Sequence, residues 1–213
     1  MPLLLVACAA AVAVLGGLRW YAAESPVAAS FAYDTSAFAA TPEDVAAALG
    51  GPLTESEQQT IRAVSRAEIE EAFAGLRVRF VDGERAFWRI RVVSSVVPRT
   101  LSGRAMLSAA GTSYAFGPLG GGGFLNFTTL SLKAVLYRPP GTSRGELVSA
   151  IGRGIGRSAV HEFTHLMLGA GSRHSEDDST YEYESADRPS QYYGRLRWAD
   201  SRPLLEQRLG ARR

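Results

Sequence analysis

The chain has 213 residues, a length that suits one domain plus a tail. Its hydrophobic content of 46% is enough for a sizeable core. The 23 basic and 21 acidic residues nearly cancel, which gives no electrostatic case for nucleic acid, and the single cysteine, Cys8, excludes a disulfide within the chain.

Residues 2–18 are apolar and uncharged, and Arg19, Trp20 and Tyr21 follow. That run is at the short end of the range for a membrane span. A secretory signal peptide is the other reading, with Val27-Ala28-Ala29 as a small-residue cleavage site. Leu5-Val6-Ala7-Cys8 also looks like a lipoprotein processing site. Residues 1–21 are therefore expected to be a signal or membrane segment, and the protein to be membrane-anchored, or secreted or periplasmic. Residues 22–40, rich in Ala and Ser and without period, read as a linker to a domain over 41–213.

Thr41-Pro42-Glu43-Asp44 is a helix start, with Thr41 as cap, Pro42 in the first turn and two acids against the dipole. Gly50-Gly51 should end that helix. Thr54-Glu55-Ser56-Glu57 repeats the signal for a longer helix running toward Gly75, with Ile61, Val64, Ile69, Ala72 and Phe73 as its buried stripe. The period then changes to two. Leu76, Val78 and Phe80 alternate with Arg77 and Arg79, and Ala86, Trp88, Ile90 and Val92 with Arg89 and Arg91. With Asp82-Gly83 at a turn, an antiparallel hairpin is predicted, apolar on one face and arginine-lined on the other. The four arginines fit an anion-binding surface or, more simply, a solvated sheet face. Residues 98–123 are expected to be loops around a short strand, with Gly120–Gly123 as a turn or flap, and 124–132 a strand. Only Lys133 is a lysine, so nearly all positive charge is arginine.

Pro139-Pro140-Gly141 breaks the chain before a helix predicted from about 143–146 to Leu168. Gly152, Gly154 and Gly156 lie inside it, each costing about 1 kcal/mol relative to Ala. Either a neighbour packs very closely there, or the helix begins only after Gly156. Near its end stands His161-Glu162-Phe163-Thr164-His165, with His174 nine residues on; these are the chain's only histidines. Two histidines four apart lie on one helix face, so both imidazoles can reach one metal ion. Zinc suits neutral imidazole and tetrahedral geometry, and Glu162 is placed to take a proton from a metal-bound water.

His161-Glu162-x-x-His165 resembles the signature of the zincin metallopeptidases. His174-Ser175-Glu176-Asp177 is similar to the segment bearing the third ligand of many metzincins, and Ser179-Thr180-Tyr181-Glu182-Tyr183 to their Met-turn. Here eight residues, and not five, separate the second and third histidines, and Tyr181 stands in the Met position. The resemblance covers about residues 146–185. It implies a zincin-like α+β fold: a small mixed or antiparallel sheet, an active-site helix and a C-terminal helical part. It further implies zinc-dependent peptide hydrolysis, with Zn2+ held by His161, His165 and His174 and Glu162 as the base. Downstream of His165 the possible third ligands are His174, Asp177, Asp178, Glu182 and Glu184. His174 is favoured; Glu184 is the rival, at a separation resembling that of gluzincins. In zincins an edge strand lies along the cleft and pairs with substrate backbone, and residues 122–128 are the candidate; an ordinary internal strand reads equally well.

Asp187-Arg188-Pro189 looks like a further helix start, and Tyr192, Tyr193, Leu196, Trp198, Leu204, Leu205 and Leu209 read as C-terminal helical packing. The expected partner is a peptide or protein substrate. Two other readings stay open: an inactive zincin-like binding module, and a metal-free envelope protein that binds anions through Arg77, Arg79, Arg89 and Arg91.

Overall fold

Residues 26–82, 86–95, 110–115 and 120–211 are described by a computed structural model of the chain. The expected signal or membrane segment, Cys8 included, lies outside them, as does much of 98–123. Among the described residues no helix is long and apolar enough to cross a membrane.

These residues form an α+β fold of five strands and six α-helices. The strands are β1 (Val27–Tyr33), β2 (Val78–Val81), β3 (Trp88–Val93), β4 (Gly111–Ala115) and β5 (Gly121–Asn126). The helices are α1 (Glu43–Leu49), α2 (Glu55–Ala72), α3 (Phe127–Leu136), α4 (Arg144–Leu168), α5 (Ser190–Tyr193) and α6 (Ser201–Leu209). The sheet is mixed, in the order β2-β1-β3-β5-β4, with only β4 antiparallel to its neighbour.

Two expectations fail at β1. Residues 27–33, inside the predicted linker, form the strand between β2 and β3, and Ala29, in the suggested cleavage site, is fully buried. The predicted hairpin is therefore absent: β2 and β3 each pair with β1, in parallel, and not with each other. The alternation itself holds. Val78, Trp88, Ile90 and Val92 are buried, and Arg79, Arg89 and Arg91 are exposed between them. In register, Ala28 lies beside Arg79, Ser30 beside Arg89 and Ala32 beside Arg91, so small residues of β1 leave room for long arginine stems on the outer face.

Thr54 caps α2 in a capping box with Glu57, as its sequence implies. Thr41 does not cap α1; its hydroxyl accepts from the Leu53 amide at 3.0 Å, and Pro42 holds the cap position. Of the strand expected over 124–132, only residues up to Asn126 are strand; from Phe127 the chain is helix, because the Asn126 side chain accepts from the Thr129 amide at 3.2 Å and starts α3 immediately after β5.

α4 runs unbroken for 25 residues, and its glycines mark close packing. A Cβ at Gly152 would lie 2.8 Å from Val64 Cβ and 3.0 Å from the Ile61 carbonyl; one at Gly156 would lie 2.7 Å from the Ser65 carbonyl. The two glycines, four apart, form the groove that receives α2. Gly154 opens the space filled by the Tyr192 ring. Arg157 of α4 pairs with Glu68 of α2 at 2.9 Å and donates to the Ser190 carbonyl at 2.8 Å, which ties α2 and α5 to the same helix. Phe73, Phe80 and Phe163 meet edge to face between these helices and the sheet.

Candidate metal centre

The last two turns of α4 carry His161, Glu162 and His165. Gly169, with φ of 57°, ends the helix, and a single 3-10 turn, Gly169–Gly171, sends the chain back. Residues 172–183 then close on themselves: the Ser175 amide donates to the Glu182 carbonyl at 3.0 Å, and Asp177 caps the Ser179 amide at 2.9 Å. The eight residues after His165 are taken up in this turn, and His174 comes back over the helix face.

Three imidazoles converge there. His165 Nε2 lies 2.9 Å from His161 Nε2 and 3.1 Å from His174 Nε2, and the possible ligand atoms of all three histidines lie within 4.8 Å of one another. Tetrahedral nitrogen ligands at zinc distances are about 3.3 Å apart, close to these separations. His161 Nδ1 is 2.9 Å from the Tyr181 carbonyl, which can only accept, so Nδ1 carries the proton and Nε2 presents a lone pair to the cluster. Ser172 Oγ is hydrogen-bonded to His165 Nδ1. Burial, and then the neighbouring His165, push the His161 ring down to about 3; burial, and then His174, push His165 down to about 4. Both rings are thus neutral near pH 7, the form a metal needs. A cation between the three nitrogens would satisfy lone pairs that otherwise face one another, so the cluster fits a metal ion. Among the described residues this is the group that could hold one; Asp177 is engaged in its turn and with Arg197, and the buried Glu182 carboxylate accepts from the Ala199 and Ser201 amides. Glu184 is exposed and lines the space on both sides of the cluster without joining it.

Tyr181, in the Met-turn-like segment, lies under this arrangement. Its carbonyl fixes His161, and its ring packs on Trp198 at 5.0 Å between centroids. Glu162 is not a member of the histidine cluster and is 9% exposed. Burial raises its pKa to about 7 against the bond from Ser113, whose hydroxyl lies 2.6 Å from Oε2. Ser113 belongs to β4, which is at one edge of the sheet among the described strands. The segment 122–128 is not at an edge: β5 is an internal strand, paired on both sides, and an edge lies at 111–115, in the stretch read as loops around a short strand. Ser113 and Gly111 carry no periodic or motif signal. Gly111 is needed for space, since a Cβ there would meet Glu162 Oε1 at 3.0 Å and Leu125 Cδ2 at 2.5 Å.

Two cavities flank the cluster. One, of about 760 Å³, extends from His161, Glu162 and His174 toward Lys133, Arg188 and Gln191; the other, of about 440 Å³, runs along Thr112 and Ser113 to His165 and Gly169. Together they border the open edge of β4 on both sides of Glu162. No protein-family model matches the chain, and no curated protein is significantly similar to it.

Proposed function

We propose that the protein is a zinc-dependent metallopeptidase of the zincin type, metzincin-like, that cleaves a peptide bond of an extended chain lying along β4. The observation that carries this reading is the convergence of His161, His165 and His174 beside the buried carboxylate of Glu162. Zinc held by these three imidazoles would supply polarisation of the scissile carbonyl and a water acidic enough to lose a proton near neutral pH. The protein's own groups account for the rest. Glu162, next to the ligands but not one of them, takes that proton and passes it to the leaving amine. Ser113 holds the carboxylate at Oε2, and Oε1 would take the proton. β4, paired only with β5 among the described strands, offers backbone N–H and C=O groups to an added strand. Residues 1–21 supply the reason to place this activity at a membrane or outside the cell.

Two measurements on the purified protein test the reading. Elemental analysis should find one zinc per chain in both wild type and Glu162→Gln. Wild type should cleave an unfolded protein substrate, and Glu162→Gln should do so at least 100-fold more slowly. A folded wild type that takes up no zinc sinks the reading; one that binds zinc and cleaves nothing supports the inactive binding module in its place.

A further inference from the structure

Arg188 occupies the wall of the larger cavity, beside but not within the metal cluster. It is 4% exposed, and among the described residues it forms no ion pair. One terminal nitrogen donates to the Asp178 carbonyl; the other donates to the Thr180 carbonyl at 2.8 Å and to Gln191 Oε1 at 3.0 Å. Among the described residues Nε is buried with no hydrogen-bond partner. The guanidinium stands 4.8 Å from the centre of the Tyr183 ring. A buried cation met only by neutral oxygens and a ring is costly unless a counter-charge arrives, and Arg157, packed into the same helix layer, shows the ordinary solution in its pair with Glu68.

Lys133, the chain's only lysine, also lines the larger cavity, 3.8 Å from an Asp187 carboxylate that already accepts the Tyr137 hydroxyl at 2.6 Å. Ser158 and Gln191 are buried polar members; of the acids that line it, Glu162 is buried beside the histidines, and Glu176 and Glu184 are exposed. Asp177 and Asp178 act on Arg188 from its own turn, outside ion-pair distance.

We propose that this cavity binds a carboxylate of the substrate, from an acidic side chain or from the chain's free C-terminus, with Arg188 as the main counter-charge and Lys133 as the second. The inference rests on the peptidase reading for the statement that the ligand is a peptide. A planar guanidinium matches a carboxylate in shape and charge. The cavity adjoins Glu162, so the recognised group would lie near the bond cut.

The test uses the full chain stripped of metal by a chelator, so that no carboxylate can bind through zinc. Three probes with one skeleton are titrated by NMR: N-acetylglutamate α-amide, N-acetylglutamine and N-acetylglutamine amide, which carry a side-chain carboxylate, an α-carboxylate and none. At least one acid should bind about tenfold more tightly than the neutral probe, and which acid does so identifies the source. Binding should weaken with salt, by about tenfold in Arg188→Gln and by several fold in Lys133→Met. Because Arg188 also holds turn carbonyls, the probe comparison and Lys133→Met serve as readings that do not depend on the folding of its variant. Equal binding of acid and neutral probes, no binding of any probe, or acid binding indifferent to Lys133→Met overturns the proposal. Acid-selective binding by a protein that never cleaves peptides would keep the cavity and remove the peptidase; cleavage without acid selectivity would do the reverse.

Discussion

His161 gives its Nδ1 proton to the Tyr181 carbonyl, and that bond decides which nitrogen faces the cluster. His174 has no such anchor on its ring; its position comes from the loop that the Ser175 and Glu182 backbones close. His174→Ala should therefore leave the fold intact and weaken zinc affinity by orders of magnitude, whereas Glu184→Ala should leave affinity nearly unchanged. Competition with a chromophoric chelator measures both, and the reverse pattern would assign the third position to Glu184. Residues with a periodic signal were legible at this scale: the four-residue spacing of His161 and His165 is a property of the helix alone. Ser113 and Arg188 were not, because a contact made across 49 residues and a buried orphan nitrogen leave no local pattern. Tyr192 is a second orphan: its ring fills the space beside Gly154, and its hydroxyl is buried without a partner. Tyr192→Phe keeps the ring and removes the unsatisfied group, so it should stabilise the protein by about 1 kcal/mol in urea unfolding.

At the scale of elements, the crossing of α2 over α4 has little slack. Gly156→Ala would add roughly 1 kcal/mol of helix propensity, yet its methyl would meet the Ser65 carbonyl at 2.7 Å and Glu68 Cβ at 2.8 Å, and a backbone carbonyl cannot rotate away. Overpacking of this kind costs about 1–3 kcal/mol, so the net effect should be a lower melting temperature. Gly145→Ala, in the first turn of the same helix with nothing within 4 Å of the new methyl, should be neutral or slightly stabilising. Equal effects at the two sites would show that close approach is not what keeps Gly156. The glycines of α4 were visible in the sequence as a conflict with helix propensity; what resolved the conflict, a neighbouring helix and the Tyr192 ring, lies far away in the chain. The strands show the same division. Alternation in β2 and β3 fixed which side chains face inward, but it names no partner, and the Ala- and Ser-rich β1 that separates them has too few large apolar residues to read as a strand.

For the molecule as a whole, the presence of helices and strands followed from helix starts and a change of period, but the strand order and the parallel pairing did not, since parallel pairing depends on crossovers that only the packed helices define. One such packing contact ties the first half of the chain to the second. Arg144, at the start of α4, forks onto both oxygens of Glu57 at the start of α2 and donates to the Leu49 carbonyl at the end of α1 and to the Pro52 carbonyl just beyond it. The fork, with the Glu57 carboxylate also accepting from Thr54, holds the Glu57 pKa down, from an ordinary 4.5 to about 2. A carboxyl depressed in the folded state binds its proton more readily when unfolded, so its contribution is present above about pH 4.5 and fades as pH falls toward 2. Glu57→Gln keeps the shape and one acceptor but loses the charge. At pH 7 it should cost up to about 1 kcal/mol, modest because the pair is partly exposed. The gap between wild type and variant in guanidinium unfolding should close by about pH 2; a gap of the same size at pH 2 and pH 7 would mean that shape, and not charge, holds the two helices. Arg144 and His165 are roughly 30 Å apart along α4, too far for direct coupling, so the same variant should bind zinc as wild type does. A loss of metal affinity in Glu57→Gln would show that the α2–α4 crossing sets the geometry of the histidines, and that the long helix transmits strain from its first turn to its last.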